Sequence, residues 1–304
     1  MSEVPPRPVA GVVGTGAMGL GIARSLVREG FDTVTRDRAP DADARAAAAG
    51  CRVLANAAAV AAAAPVVFVV VVDDREVDDV IFGPDGLASA GTRGLVVLVC
   101  STLDPDYVRG LPDRAGAHGL AIVDAPISGG PAKAADGSMT MMLAAPRYAL
   151  DRAAPAVAAV AGHRFVVSER AGDAAATKIV NNLLAGANLA AAGEALALAD
   201  ALGLDAGATA EVIGASSGAS WIFADRVPRA LAGDLAPRAA ARILAKDLAI
   251  ACSVSERAGL PGDFARTARR TFVDAVAAGH GERDDAVIVQ HARATAARRG
   301  RPPR

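Results

Sequence analysis

A glycine-patterned stretch near the amino terminus, Val9 to Gly30 (VAGVVGTGAMGLGIARSLVREG), constrains this chain more than any other. It opens on a short apolar run, Val9 to Val13. Gly14, Gly16 and Gly19 follow in the spacing G-x-G-x-x-G, with Gly21 behind them, and Ile22, Leu26 and Val27 then fall on one helical face. Apolar run, glycine turn and helix in that order form the context in which such a spacing carries meaning. The first glycine permits a tight turn, the second lets the backbone approach a pyrophosphate, and the third lets helix and strand pack closely. A helix N-terminus adds unpaired N–H groups and the positive end of its dipole. Gly14, Gly16, Ala17, Met18 and Gly19 are therefore candidate phosphate-binding residues; the alternative is a glycine-rich turn that binds nothing.

Asp37 sharpens the reading. It stands 23 residues after Gly14, at the end of the next apolar run. An acidic group at about that distance accepts hydrogen bonds from adenosine ribose hydroxyls and repels a 2′-phosphate. NAD is favoured. Arg36 and Arg38 flank Asp37, and either can pair with a phosphate, so NADP stays possible.

Further strand-like runs follow at 31–35, 66–72, 95–99 and 120–123, separated by helix-like stretches at 19–28, 42–49, 75–81 and 106–115. Such alternation predicts a doubly wound parallel sheet with helices on both faces. Runs at 138–143 and 164–167 extend the sheet. Near Gly172 the texture changes to alanine- and leucine-rich segments of helical period, beginning with one helix over 173–202. The expected organisation is a dinucleotide-binding domain over 1–171, an all-α substrate and dimerisation domain over 172–297 joined by that long helix, and a disordered basic tail over 298–304. Gly186 and Gly193 on the long helix suggest a seam between subunits, hence a homodimer or homotetramer.

With 304 residues the chain has ample length for two cores, and a net charge of −1 gives nucleic acid no purchase. Cys51, Cys100 and Cys252 are far apart, with neither disulfide nor metal spacing, which fits a reducing cytoplasm and no metal site. The most apolar segment, 57–72, is broken by Pro65 and reads as a short helix and a buried strand, not a membrane span. Lysine is scarce: only Lys133, Lys178 and Lys246 occur, so each merits a functional hypothesis.

Three motifs answer to those lysines. Asp124 to Gly137 (DAPISGGPAKAADG) follows a strand, at the carboxyl end of the sheet where ligands bind in such folds. Ser128 offers a hydroxyl, and Gly129 and Gly130 offer backbone N–H groups to a substrate carboxylate. Lys178 to Asn182 (KIVNN) places Lys178 and Asn182 at i and i+4 on one helical face. A buried lysine there can exchange a proton with a reacting hydroxyl, and Asn182 can hold the same oxygen. Lys246-Asp247-Leu248 lies within a later helix, where by itself it reads as a surface charge pair.

These residues together resemble the β-hydroxyacid dehydrogenases. The likeness runs from Gly11 to about Gln290 through GVVGTGAMGLG, Cys100-Ser101-Thr102, DAPISGG, KIVNN and KDL. It implies a Rossmann sheet followed by a helical domain, with Ser128, Gly129 and Gly130 on the substrate. It further implies Lys178 as catalytic acid/base with Asn182 as its partner, and Thr102 and Lys246 on the cofactor. Residues 220–248, together with Lys133, resemble the L-threonate-oxidising branch, implying a four-carbon hydroxy acid oxidised at its 2-hydroxyl. In that reading Lys133 and, from the helical half, Trp221 and Phe223 contact substrate. The alternatives are 3-hydroxyisobutyrate dehydrogenases, short-chain semialdehyde reductases, and a non-catalytic dinucleotide-binding module, which would lose the lysine.

Overall fold

The computed structural model describes residues 7–299. Residues up to Lys178 form one compact unit and those from Ile179 onward a second.

In the first unit β1 (Val9–Val13), α1 (Ala17–Arg28), β2 (Asp32–Arg36), α2 (Pro40–Ala48), β3 (Arg52–Val53), α3 (Ala57–Ala63), β4 (Val66–Val69) and α4 (Asp74–Phe82) alternate. They continue with β5 (Val96–Val99), α5 (Pro105–Gly116), β6 (Ala121–Asp124), β7 (Ile127–Ser128), α6 (Gly130–Asp136), β8 (Met139–Ala144), α7 (Arg147–Val160) and β9 (Ala161–Ser168). These strands form one sheet in the order β3-β2-β1-β4-β5-β6-β8-β7, with β9 beside β8. β1 to β6 run parallel, while β8 is antiparallel to β6 and β7 and parallel to β9.

The central strands are apolar throughout because both faces are covered. On β4 and β5, Val66, Phe68, Val96 and Leu98 enter the core on one face, and Val67, Val69, Val97 and Val99 the core on the other. The chain passes from β1 to β2 on one side, while β4 lies on the other. That reversal marks the switch point outside whose carboxyl ends such sheets bind ligands.

Several elements differ from the sequence reading. β4 ends at Val69, not Val72, because Val70 and Val71 turn their backbones to the glycine loop and to Ser101: the Ser101 hydroxyl donates to the Val71 carbonyl at 2.7 Å. α6 replaces what reads as a glycine-rich turn, and α7 fills a stretch given no element.

α8 (Asp173–Ala201) crosses the division between units. The second unit adds α9 (Ala206–Gly214), α10 (Trp221–Leu231), α11 (Ala241–Arg257), α12 (Asp263–Ala275) and α13 (Val287–Arg299). Its core gathers Leu189, Leu196, Val227, Leu248, Phe272 and Ile288. Two buried ion pairs tie α10 to the segment before α13: Arg226 Nε to Asp285 at 2.6 Å and Arg229 Nη2 to Asp284 at 2.9 Å.

Two expectations are corrected here. Gly186 and Gly193 serve packing within the chain: a methyl group on Gly186 would fall 2.8 Å from Leu248, and one on Gly193 3.0 Å from Ala292. The expected tail starts too early, since α13 continues through Arg299; residues 300–304 lie outside the described ones.

Candidate active site

The glycine loop meets its structural demands one residue at a time. Gly14 has φ +90°, and a methyl group there would fall 2.4 Å from the Val70 carbonyl oxygen. A methyl group on Gly19 would fall 1.8 Å from the Gly14 carbonyl oxygen. Both are glycine for the fold's own sake. Gly16 is different: its φ is −61°, and nothing lies within 4 Å of where a side chain would start. The fold does not require glycine at that position, whereas close approach of a pyrophosphate does. Gly16 also opens α1 without a side-chain cap, so the first N–H groups of the helix face outward from the sheet's carboxyl edge. Gly14, Gly16, Ala17, Met18 and Gly19 thus make a cradle that fits a dinucleotide.

Asp37 sits at the end of β2 and is folded onto this loop. Its Oδ2 accepts the Thr15 N–H at 2.6 Å, and its Oδ1 accepts the Ala39 N–H at 2.9 Å. Oδ2 also accepts the Thr15 hydroxyl at 3.5 Å, while Oδ1 keeps a second lone pair for a ribose hydroxyl. The two flanking arginines are engaged with carboxylates: Arg36 with Asp43 at 3.0 Å, and Arg38 with Glu76 at 2.9 Å. That arrangement is better suited to a free 2′-hydroxyl than to a 2′-phosphate.

The second motif is fastened to the first. A methyl group on Gly21 of α1 would fall 2.7 Å from Ala134 of α6, and the Ser25 hydroxyl donates to the Ala134 carbonyl at 2.8 Å. α6 therefore rests on the helix that carries the cradle. Its leading residues, Gly129 (φ +126°) and Gly130 (φ +77°), adopt conformations that side chains resist, directly after Ser128 on β7. Lys133 folds back over this turn: its Cδ lies 2.9 Å from where a Gly129 side chain would start. Lys133, Ser128, Gly129 and Gly130 are thereby brought together.

The third motif lies on α8. Lys178 and Asn182 are only 7% and 8% exposed, one helical turn apart. Asn182 is oriented by two neighbours: its Nδ2 donates to Asp247 Oδ2 at 2.7 Å, and its Oδ1 accepts from Asn181 Nδ2 at 3.0 Å. Asp247 is buried, and its other oxygen lies 2.9 Å from Lys246 Nζ. From the sequence Asp247 reads as half of a surface charge pair with Lys246; the structure buries it, and its bond to Asn182 spans 65 residues, which nothing in local spacing reports.

The remaining candidates separate. Thr102 is half-buried just past the end of β5. Trp221, at the start of α10, is 59% exposed with the Arg226 guanidinium 5.8 Å over its ring. Phe223 is 5% exposed and belongs to the helical core with Ile222 and Val227. Position 223 of α10 faces inward, while position 221 does not.

Residues 9–168 match the family described as the NAD-binding domain of 6-phosphogluconate dehydrogenase. Residues 172–292 match the one described as NAD-binding of NADP-dependent 3-hydroxyisobutyrate dehydrogenase. The chain is 39% identical over 280 residues to an L-threonate dehydrogenase of Cupriavidus necator, covering 92% of this chain and 94% of that protein. It is 32% identical over 282 residues to the 2-(hydroxymethyl)glutarate dehydrogenase of Eubacterium barkeri, covering 92% and 93%. Among solved structures it resembles a 3-hydroxyisobutyrate dehydrogenase from Salmonella typhimurium, with a TM-score of 0.86 at 35% identity over 93% of this chain and 99% of that one. On both units and along nearly its whole length, the chain belongs to the β-hydroxyacid dehydrogenase family of NAD(P)-binding oxidoreductases.

Proposed function

We propose that this enzyme oxidises the 2-hydroxyl of L-threonate to the 2-oxo acid, with NAD as cofactor and Lys178 as the proton acceptor. The observation that carries the reading is a lysine held more than nine-tenths buried one turn from an equally buried, oriented Asn182. When bound, the nicotinamide supplies the acceptor for the hydride leaving the carbinol carbon. The chain's own residues do the rest. Neutral Lys178 takes the hydroxyl proton on Nζ as the carbonyl forms. Asn182 has a second N–H on Nδ2 beyond the one given to Asp247, and it steadies the same oxygen. Ser128 and the Gly129 and Gly130 backbone hold the carboxylate, with Lys133 over the turn. Thr102 and Lys246 contact the cofactor, Lys246 being steadied by Asp247. Trp221 shields the reacting carbon from water.

Initial rates on three- and four-carbon hydroxy acids with NAD and NADP test this. L-threonate with NAD is expected to give the highest kcat/KM. A faster smaller or methyl-branched acid overturns the substrate and leaves the family standing. The engaged arginines beside Asp37 set the cofactor expectation: kcat/KM with NAD exceeds that with NADP, and Asp37→Ala narrows the gap. Equal or better use of NADP by the wild type refutes it.

The same reading holds the protein to be a homodimer or homotetramer. Val180, Leu184 and Leu198 stand exposed on α8, an apolar row that a second copy of the chain covers. Sedimentation at micromolar concentration is expected to give a dimer or tetramer, and Leu184→Glu to shift it toward monomer. A wild-type monomer refutes the assembly.

A further inference from the structure

Helix α8 starts without a cap of its own. Gly172, just before it, has φ +94°, and a methyl group there would fall 2.4 Å from Arg109 Cγ and 2.7 Å from the Pro105 carbonyl oxygen. No side chain fits. The Gly172 carbonyl accepts the Ala176 N–H at 2.9 Å and so closes the first turn. A residue in that place ordinarily lends a side-chain oxygen to an N–H two or three residues on. Here the oxygen comes from another element. Asp124, at the end of β6, accepts the Gly172 N–H at 2.8 Å and the Ala175 N–H at 3.0 Å, both on Oδ2.

Asp124 is buried. Burial of an ionisable carboxylate is unfavourable, and it pushes this one up to about 6, against the pull of the Ala175 and Gly172 N–H groups. A neutral residue of the same shape avoids that penalty, so stability alone gives little reason for an aspartate. Its location gives a better one. Lys178 lies one turn beyond Ala175, and the Ser128 to Gly130 turn begins four residues after Asp124.

We propose that Asp124 is a positioning residue for Lys178: its carboxylate fixes the first turn of α8 to the end of β6, and so sets where the Lys178 Nζ stands relative to the Ser128 to Gly130 turn. The inference rests on Lys178 being the proton acceptor. The titratable groups facing Asp124 are Asp173 on the helix it caps and Cys100 just after β5. Asp173 is held by Ser168 at 2.8 Å and Arg170 at 3.2 Å, and Arg109, over Gly172, is paired with Asp106.

The sign of the pH dependence separates positioning from support. A carboxyl raised from 3.8 to about 6 contributes stability that is full below the ordinary value and lost as pH rises through about 6. Asp124→Asn removes that loss, so the variant is expected to melt no lower than wild type at neutral pH. Its activity moves the other way. With L-threonate and NAD as probes, kcat is expected to fall by about 10- to 100-fold, as displacement of a reacting group does. KM and the dissociation constant for NAD are expected to stay within about threefold of wild type. The wild-type kcat is expected to rise through pH about 6, and the variant to lack that limb. A variant that keeps wild-type kcat and the acid limb overturns the proposal; so does one in which kcat falls only alongside melting temperature and NAD affinity.

A second measurement needs no variant. Amide exchange over residues 172–178 of the wild type, corrected for intrinsic rate, is expected to be slower at pH 5 than at neutral pH, because the stability that the raised Asp124 carboxyl gives is lost as pH rises through about 6. Unchanged exchange overturns the proposal. Lys178→Ala is assayed in parallel. If it stays active, the acid/base reading and this one fall together; if it is inactive while Asp124→Asn behaves as wild type, only the positioning role falls.

Discussion

Replacing Lys178 with alanine is expected to lower kcat by about 10²- to 10⁴-fold, the range that general acid/base groups contribute. At 1.36 kcal/mol per tenfold, that is about 3–5 kcal/mol of transition-state stabilisation. The dissociation constant for NAD is expected to move less than about twofold, because the cradle is built from Gly14, Gly16 and Gly19 on another element. Lys178→Arg makes the test sharper. A guanidinium keeps the charge but cannot act as a base at any working pH. It is therefore expected to be as inactive as alanine. Stopped-flow kinetics with a deuterated carbinol carbon and a fluorescence titration of NAD check the two halves. A Lys178→Ala enzyme that keeps more than about a tenth of the wild-type rate shows that another group moves the proton.

What could be read in the sequence follows the range over which each signal acts. β1 is legible to the residue because an apolar run meets a glycine turn within five positions. β4 and β5 are legible because strands covered on both faces are apolar throughout. The pairing of Lys178 with Asn182 is legible because i and i+4 share a face on any helix. α6 is not, since Gly129, Gly130 and Pro131 have the composition of a turn; what makes it a helix is its seat on Gly21 of α1, about 110 residues earlier. β3 and β7, at two residues each, are too short for a period, and Pro155 masks α7. The last two residues of α13, Arg298 and Arg299, read as tail because they open a basic, proline-containing run. Asp247 and Asp124 are the clearest losses. Each acts through a bond to a distant segment, 65 and 48 residues away, that no window includes.

L-threonate is expected to be oxidised with a kcat/KM well above that for 3-hydroxyisobutyrate. The left-handed backbones of Gly129 and Gly130 turn the chain at the end of β7, and the Lys133 stem lies against Gly129 because there is no side chain in its way. The Lys133 ammonium is thereby carried over the turn proposed to hold the carboxylate, with three donors and a full charge. A four-carbon polyhydroxy acid offers it a hydroxyl as well as a carboxylate; a methyl-branched acid leaves part of that capacity unpaired. Sites built to hydrogen-bond a substrate hydroxyl reject analogues lacking it by about 10⁴-fold or more when the site is dry. Lys133 is half-buried, so a smaller ratio, on the order of 10²-fold, is the expected one here. Lys133→Ala is expected to raise KM for threonate more than for glycerate, with kcat less affected, since the interaction is made with bound substrate as well as at the transition state. Because the Lys133 stem packs on Gly129, Lys133→Met serves as the control: it keeps the stem and removes the charge. Loss of selectivity in both variants assigns it to the ammonium. Loss in the alanine variant alone assigns it to the shape of the turn. Equal kcat/KM for threonate and 3-hydroxyisobutyrate in the wild type would remove the basis for either.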